Sequence, residues 1–201
     1  LFFIIFIYYK PIMNERASAV LYFWFVESSH EERFSNNVVF DQKIKENFFK
    51  DYLKAINNKY DEWQNNVKEC LALIIILDQF SRNLFRNNSR AFAMDKKARL
   101  VSIEAIDRGY CDKLSTDEIL FIILPLIHSE DLNDHTYFYK IFDTYFQNHS
   151  KYLEAKKMNN LHTDIIRRFK RYPYRNKVLG RKSTGDEIEY LKSTHHKFFN
   201  I

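Results

Sequence analysis

The chain has 201 residues, of which 46% are hydrophobic and 17% aromatic, and its formal net charge is +5. This length suits one domain and supplies ample material for a sizeable core. With only three glycines and three prolines, the sequence excludes a Gly-rich phosphate loop and disfavours both a many-turned β sandwich and a disordered chain. The mild positive charge permits an anionic partner without requiring one.

The N-terminal residues 1–12 are treated separately because most of them are apolar. The apolar stretch 1–9 is too short to span a bilayer, and no basic residue precedes it as in a signal peptide. We expect residues 1–12 to be a translated upstream or disordered extension, with a membrane or export signal as the alternative. Residues 13–201 are then a single domain that begins at Met13.

Helical periodicity dominates the first half of the domain, where apolar residues recur at steps of three and four. It predicts helices over 14–26, 40–56 and 67–77. The third is apolar on nearly every side, so we expect it to be central. Residues 78–90 are polar, with turn-forming residues at 87–89, and this segment is predicted to be irregular.

The next two helices carry start and stop signals. One is predicted over 95–108, with Asp95 as its cap and Gly109 just beyond its end. Ser115 and Glu118 form a capping box for the other. Pro125 should kink or end that helix just before His128, because proline removes a backbone donor.

The C-terminal part predicts helices over 131–147 and 150–170, stopped by Pro173, and a short last helix after Thr184. About eight helices with short connections indicate an all-α fold in a single compact domain. Neither Cys70 nor Cys111 belongs to a C-x-x-C motif. A disulfide framework is therefore disfavoured, and we expect a cytoplasmic protein.

Four blocks of the sequence resemble the signature segments of the family called domain of unknown function 924. They are VLYFWF at 20–25, IILDQFSRNLFR at 75–86, LPLIHSED at 124–131, and HTDIIRRF at 162–169 running into YPYRNKVLGR at 172–181. The resemblance covers nearly everything after Met13. It implies an all-α, TPR-like fold of packed helical hairpins in a bacterial cytoplasmic protein, and it implies no reaction.

The chain departs from the family pattern at three positions. The family usually has proline where Ser81 stands, glycine where Lys170 stands, and histidine where Tyr174 stands. If that histidine acts in relatives, this chain lacks it, although a tyrosine can still donate a hydrogen bond.

The first candidate site follows the most hydrophobic helix directly. It comprises Asp78, Gln79, Arg82, Asn83 and Arg86. One interpretation is a structural network in which Asp78 pairs with an arginine. The other is an anion site, because guanidinium groups match carboxylate or phosphate.

The second candidate combines His128, Glu130 and Asp131 with His162 and Asp164. These residue types can ligate a metal or act as acid–base groups, which would make the protein a hydrolase. Their spacing matches no zinc motif, however, and residues such as Asp131 commonly cap a helix. No metal is assigned.

The third candidate lies in the basic and aromatic segment 167–182 and comprises Arg171, Arg175, Asn176 and Arg181. It could bind a small anion or a nucleic acid, or it could pair with the acids of the other blocks. An Arg-Asn pair after an aromatic residue occurs at 82–83 and again at 175–176. We expect these two segments to meet in space as a clasp.

The leading hypothesis is a binding module with an arginine-lined polar cleft for an acidic small molecule or peptide. The alternatives are the hydrolase built on the second candidate site and a structural interaction protein without a small ligand. A nucleic-acid partner is disfavoured and no membrane span is predicted. The sequence leaves catalytic residues, cofactor and oligomeric state undetermined.

Overall fold

A computed structural model describes residues 13–193, and within that range the chain is all-α. Its helices are α1 (Glu15–Tyr22), α2 (His30–Phe34), α3 (Val38–Ile56), α4 (Val67–Ile74), α5 (Ser81–Leu84), α6 (Asp95–Asp107), α7 (Thr116–Ile127), α8 (Leu132–Phe146), α9 (Tyr152–Phe169) and α10 (Gly185–Lys192). The all-α expectation is confirmed. The TPR-like packing that the resemblance implies stays a prediction, and the expectation for residues 1–12 lies outside the described residues.

The eight predicted helices are all present, and α2 and α5 are additional. Helix α2 has no buried residue, so the apolar pattern that reveals the other helices is missing; a capping box between Ser29 and Glu32 starts it. The prediction that residues 78–90 are irregular is wrong for 78–84. A π-helical segment, Ile75–Phe80, continues α4 directly into α5. The polar side chains there find partners inside the protein, and they therefore do not mark the end of the helix.

Helix α4 and the π-helical segment form the centre of the fold, as their all-round hydrophobicity predicts. Every residue from 70 to 80 is buried. Helices α1, α6 and α7 all pack against α4, while α3 packs against α5. Asn66 caps α4 by accepting from the backbone N–H groups of Lys68 and Glu69 at 3.0 and 3.3 Å. The polar residues that follow are thus carried into the interior on a rigid rod.

The end of α7 positions His128, and the start of α6 positions Asp95. The capping box of Ser115 and Glu118 starts α7, and Pro125 lies in its last turn, so the helix ends at Ile127 and His128 is its C-cap. The prediction that Asp95 caps α6 is wrong: Met94 occupies that position, and the Asp95 carboxylate is directed to arginine side chains.

Helix α9 ends at Phe169, and Lys170 directly after it has the left-handed backbone conformation with φ of 60°. This conformation explains why glycine suits the position, since glycine alone adopts it without a Cβ penalty. The helix thus ends before Pro173 can stop it.

No helix in the described part of the chain is both long and apolar enough to cross a membrane. The cytoplasmic location stays a prediction.

Candidate functional site

Asp78 is the buried hub of the polar residues, near the end of the π-helical segment. Both of its carboxylate oxygens lie close to His128 Nδ1, at 2.9 and 3.0 Å. Gln79 Nε2 donates to Oδ2 at 2.5 Å, and Arg82 Nη2 lies 3.3 Å from Oδ1. A buried carboxylate with this many donors is held in one orientation.

His128 reaches this hub because α7 ends one residue earlier. Its carbonyl oxygen accepts a hydrogen bond from Arg175 Nη2 at 3.0 Å, so the main chain at this position is held as well as the ring. Two of the candidate blocks recognised in the sequence therefore meet at His128, and the third contributes Arg175.

Asp95 joins the first and third blocks through a single carboxylate. Arg82 Nη1 lies 3.1 Å from Oδ1, and Arg175 Nη1 lies 3.0 Å from Oδ2. The expected meeting of the two Arg-Asn segments is therefore found. Asp95 itself was missed as a site residue, because helix capping already explained an aspartate at the start of a helix.

Much of the third block forms a structural clasp rather than a site. Arg181 pairs with Glu130 through two hydrogen bonds of 2.7 and 3.0 Å, and the backbone N–H of Tyr172 donates to Glu130 at 2.8 Å. The Tyr172 hydroxyl donates to the carbonyl oxygen of Ile127. These contacts fasten the segment after α9 to the end of α7.

Glu187 completes the clasp from α10. Arg171 donates to both of its oxygens, at 2.6 and 2.8 Å, and Asn176 Nδ2 donates to it at 3.2 Å. The Arg171 pairing lowers the pKa of Glu187 to about 2, against the opposing effect of burial. Glu187 was recognised in the sequence only as a helix-capping residue, yet its side chain holds two of the candidate residues.

The five residues of the second block do not assemble as a metal site. Asp131 is exposed and caps α8 through the Asn133 N–H at 2.9 Å, while Asp164 is exposed and pairs with Arg167 at 2.9 Å. Glu130 is engaged by Arg181. Within residues 13–193, no group of three or more His, Cys, Asp or Glu side chains is placed to hold a metal ion.

A cavity of about 440 Å³ adjoins the hub, and its wall combines cationic and apolar residues. The polar side is formed by His30, Arg33, Ser35, Gln79, Arg82, Asn83, Arg86, His128, Asn159 and His162, and the apolar side includes Phe34, Leu120, Leu124, Ala155 and Met158. Among the described residues, neither aspartate nor glutamate lines this cavity. Three arginines thus face a space without a lining carboxylate.

Most of the guanidinium groups around the cavity are already balanced by carboxylates behind the wall. Arg86 makes two hydrogen bonds with Asp41, at 2.5 and 2.9 Å, and Arg82 and Arg175 are matched by Asp78 and Asp95. The cluster consists of the three lining arginines and Arg175 behind them. The carboxylates of Asp41, Asp78 and Asp95 therefore balance three of these four positive charges.

Arg33, on α2, is the fourth arginine and carries the surplus positive charge. Its Nη1 donates to the carbonyl oxygen of Trp24 at 3.2 Å, and within residues 13–193 it forms no ion pair. Burial lowers the pKa of Arg33, and the more distant Asp117 only partly offsets this. An arginine titrates so high that it nevertheless stays charged. One guanidinium group at the cavity therefore has no ion-pair partner among residues 13–193.

Burial favours the neutral form of His128 and His162. Burial lowers the pKa of His128 although Asp78 opposes this, and burial lowers the pKa of His162 well below its usual value. Burial alone would raise the pKa of Asp78, but Arg82 and His128 hold it well below its usual value, so the carboxylate stays ionised. An ionised Asp78 accepts the Nδ1–H of a neutral His128.

The structure therefore divides the candidate residues into two groups. Gln79, Arg82, Asn83, Arg86, His128 and His162 line the cavity, with Asp78 directly behind them; Glu130, Arg171, Arg175, Asn176 and Arg181 form the clasp. Arg33 and His30 were missed. The capping box at Ser29 could have revealed their helix, although not that it faces the cavity.

Comparison with known proteins identifies the family but no activity. A family model described as "Bacterial protein of unknown function (DUF924)" matches residues 20–195. The structure of a protein of unknown function from Agrobacterium tumefaciens is 32% identical in sequence, with a TM-score of 0.79 over 88% of this chain and 97% of that one. No curated protein matches the chain.

Proposed function

The chain belongs to DUF924, a bacterial family of unknown function, and on that premise we propose from its own site that the cavity binds an acidic small molecule. The observation that carries the proposal is a wall with three arginines and, among the described residues, no carboxylate. Guanidinium groups prefer carboxylate and phosphate ligands because their paired N–H donors match paired oxygens.

The size and lining of the cavity favour a ligand with an apolar body. A volume of about 440 Å³ lies in the range of small-molecule sites, which typically combine apolar walls with a few polar anchors. Leu120, Leu124 and Met158 supply the apolar side. We therefore favour a small organic acid over an acidic peptide, which would extend beyond such a space.

The charge balance favours a monoanion. Three carboxylates offset three of the four arginines around the cavity, and Arg33 carries the surplus. A single carboxylate would neutralise that surplus, whereas a dianion would leave a buried negative charge, which is costly. Arg33 is thus the expected anchor, with Arg82 beside it.

Isothermal titration calorimetry with hexanoate, hexanol, hexylamine and inorganic phosphate tests the proposal, and a short acidic peptide provides a further arm. Hexanoate should bind most tightly and raise the melting temperature, since a ligand that binds the native state stabilises it. Arg33→Ala should weaken hexanoate binding by roughly tenfold or more, about the loss of one charge-assisted hydrogen bond.

The matched control is Arg167→Ala, which removes an exposed arginine that does not line the cavity. It should leave hexanoate affinity unchanged. Equal binding of hexanoate and hexanol, or no binding of any anion, would exclude the proposed site. If the acidic peptide binds more tightly than hexanoate, the ligand is acidic but is a peptide and not a small organic acid.

A further inference from the structure

Asp78 orients the imidazole ring of His128 in a way that binding of an acid does not require. The carboxylate holds Nδ1 at 2.9 and 3.0 Å, so the opposite ring nitrogen, Nε2, points away from Asp78. His128 also lines the cavity proposed above as the acid-binding site. A buried Asp–His pair beside a ligand cavity is a common arrangement for proton transfer.

Asp78 sets the form in which the imidazole is present. Because this carboxylate accepts the Nδ1 hydrogen, the lone pair of a neutral His128 is on Nε2. Gln79 and Arg82 hold the carboxylate, and Arg175 holds the His128 carbonyl oxygen. The ring is therefore held at Nδ1 and the main chain at its carbonyl oxygen, so Nε2 is the nitrogen available to act as a general base.

Arg82 places a positive charge at the same place. Its guanidinium lies 3.3 Å from the Asp78 oxygen that also contacts His128, so it is a close neighbour of the ring. This charge lowers the pKa of Asp78 and keeps the carboxylate ionised as the partner of the His128 Nδ1–H.

We propose that the cavity hydrolyses a carboxylic ester of a monoanionic small molecule, with His128 as the general base. This proposal rests on the proposed binding function, since Arg33 would hold the anionic group of the substrate. It goes beyond binding by making the ligand a substrate.

The reaction uses water as its second reactant. His128 Nε2 accepts a proton from the water as the water oxygen forms a bond to the ester carbonyl carbon, which leaves a tetrahedral oxyanion. The bond between that carbon and the alcohol oxygen then breaks, and the protonated Nε2 returns its proton to the departing alkoxide. The products are a carboxylic acid and an alcohol.

Several charged or titratable groups surround His128 and set the pH range of such a reaction. Asp78 and Arg82 approach from the rod of α4 and α5, Asp95 from α6, His135 from α8, His162 from α9, and Arg175 from the segment before α10. Since burial keeps His128 neutral to lower pH than usual, the base form should be present throughout the neutral range.

Two chromogenic esters of equal acyl length test the proposal on the full chain. They are the mono-p-nitrophenyl ester of glutarate, which carries one free carboxylate, and p-nitrophenyl pentanoate, which carries none. The wild-type protein should hydrolyse the acidic ester with a kcat/KM at least about tenfold higher, because a charged anchor is worth that much. The kcat should rise with the deprotonation of a single group, with a solvent isotope effect near two.

The His128→Gln variant separates catalysis from binding and from folding. Its kcat should fall by roughly 100-fold or more, the usual contribution of a general base, while its hexanoate affinity stays within about threefold. His128→Gly should regain activity with added imidazole, which a merely structural histidine would not allow. If His128→Gln fails to fold, the pH profile and isotope effect of the wild type still decide.

Pre-steady-state release of p-nitrophenol from the acidic ester tests the nucleophile, because attack by a side chain would form an acyl-enzyme and give an initial burst. If water attacks, release is linear from the start; a burst would show that the water step is wrong. Failure of the wild type to hydrolyse either ester while still binding hexanoate would overturn the catalytic proposal and leave the binding function standing. Failure to bind any acid would overturn both.

Discussion

Arg82 and Arg175 hold opposite oxygens of one carboxylate, that of Asp95, at 3.1 and 3.0 Å. Both arginine side chains are buried, with 7% and 5% of their surface exposed. Because Arg82 lines the cavity and Arg175 anchors the clasp, this single carboxylate joins the candidate site to the C-terminal segment.

Replacing Asp95 with alanine should cost about 3 kcal/mol of unfolding free energy, because it removes the partner of two buried guanidinium groups. Arg82 keeps Asp78, so the loss falls mainly on Arg175. Urea denaturation measures the change. The control is Asp164→Ala, which breaks an ion pair whose side chains are 65% and 63% exposed and should cost less than about 0.5 kcal/mol. Equal costs for the two variants would contradict the bridging role.

The clasp should make stability depend on pH through Glu187. Its pKa falls from 4.5 to about 2 on folding, mainly because Arg171 donates to it. A lowered folded-state pKa stabilises the protein above the unfolded value and loses this effect as the pH falls. The stability difference between wild type and Glu187→Gln should therefore be complete above pH 4.5 and shrink towards pH 2.

At neutral pH that difference should be about 2 kcal/mol, in the range of a hydrogen bond to a charged group. Urea denaturation of both proteins across this pH range measures it. Glu189→Gln on the exposed side of the same helix is the control and should show little effect. A difference for Glu187→Gln that stays constant between neutral and acid pH would show that the stabilisation does not depend on its charge.

Lys170→Gly should raise the unfolding free energy by about 0.5–1 kcal/mol. Lysine at φ of 60° carries a left-handed strain of about 1–2 kcal/mol, which the greater freedom of glycine in the unfolded chain partly offsets. The reciprocal variant is Gly109→Ala, at φ of 70° with its nearest new contact at 3.5 Å, which should cost about 1 kcal/mol. Thermal and urea unfolding should both show that Lys170→Gly raises the unfolding free energy and that Gly109→Ala lowers it.

A series of linear monocarboxylates should bind with increasing affinity as the chain lengthens. Each buried methylene contributes about 0.8 kcal/mol, or roughly fourfold in Kd, until the cavity is filled. Arg33→Ala should weaken all members by a similar factor and leave the slope unchanged, because it removes the anchor and not the apolar wall. Calorimetry gives both quantities. A flat series would mean that the chain does not enter the apolar side.

Local sequence patterns predicted the helices well because helix formation depends on neighbours three and four residues apart. Ser115 with Glu118, Pro125 and Gly109 act within one turn of chain, so each marked a boundary that the structure has. The exceptions were α2, whose exposed residues leave no apolar stripe, and α5, whose polar residues were predicted to be irregular.

The candidate residues themselves were recognised from the sequence, but their roles were not. Arg82 and Arg175 follow the same local pattern and both bind Asp95, yet Arg82 lines the cavity whereas Arg175 binds the His128 carbonyl oxygen. Arg33 drew no notice because nothing near it in the chain marks it.

The sequence by itself thus determined an all-α domain, its family, and three polar blocks centred near Asp78, His128 and Arg175. Only the tertiary structure decided which charges cancel, leaving Arg33 with the surplus and turning the His128 ring towards a cavity. The physical reason is that charge pairing depends on the distance between atoms in space. That distance joins residues from separate helices, so no local pattern in the chain records it.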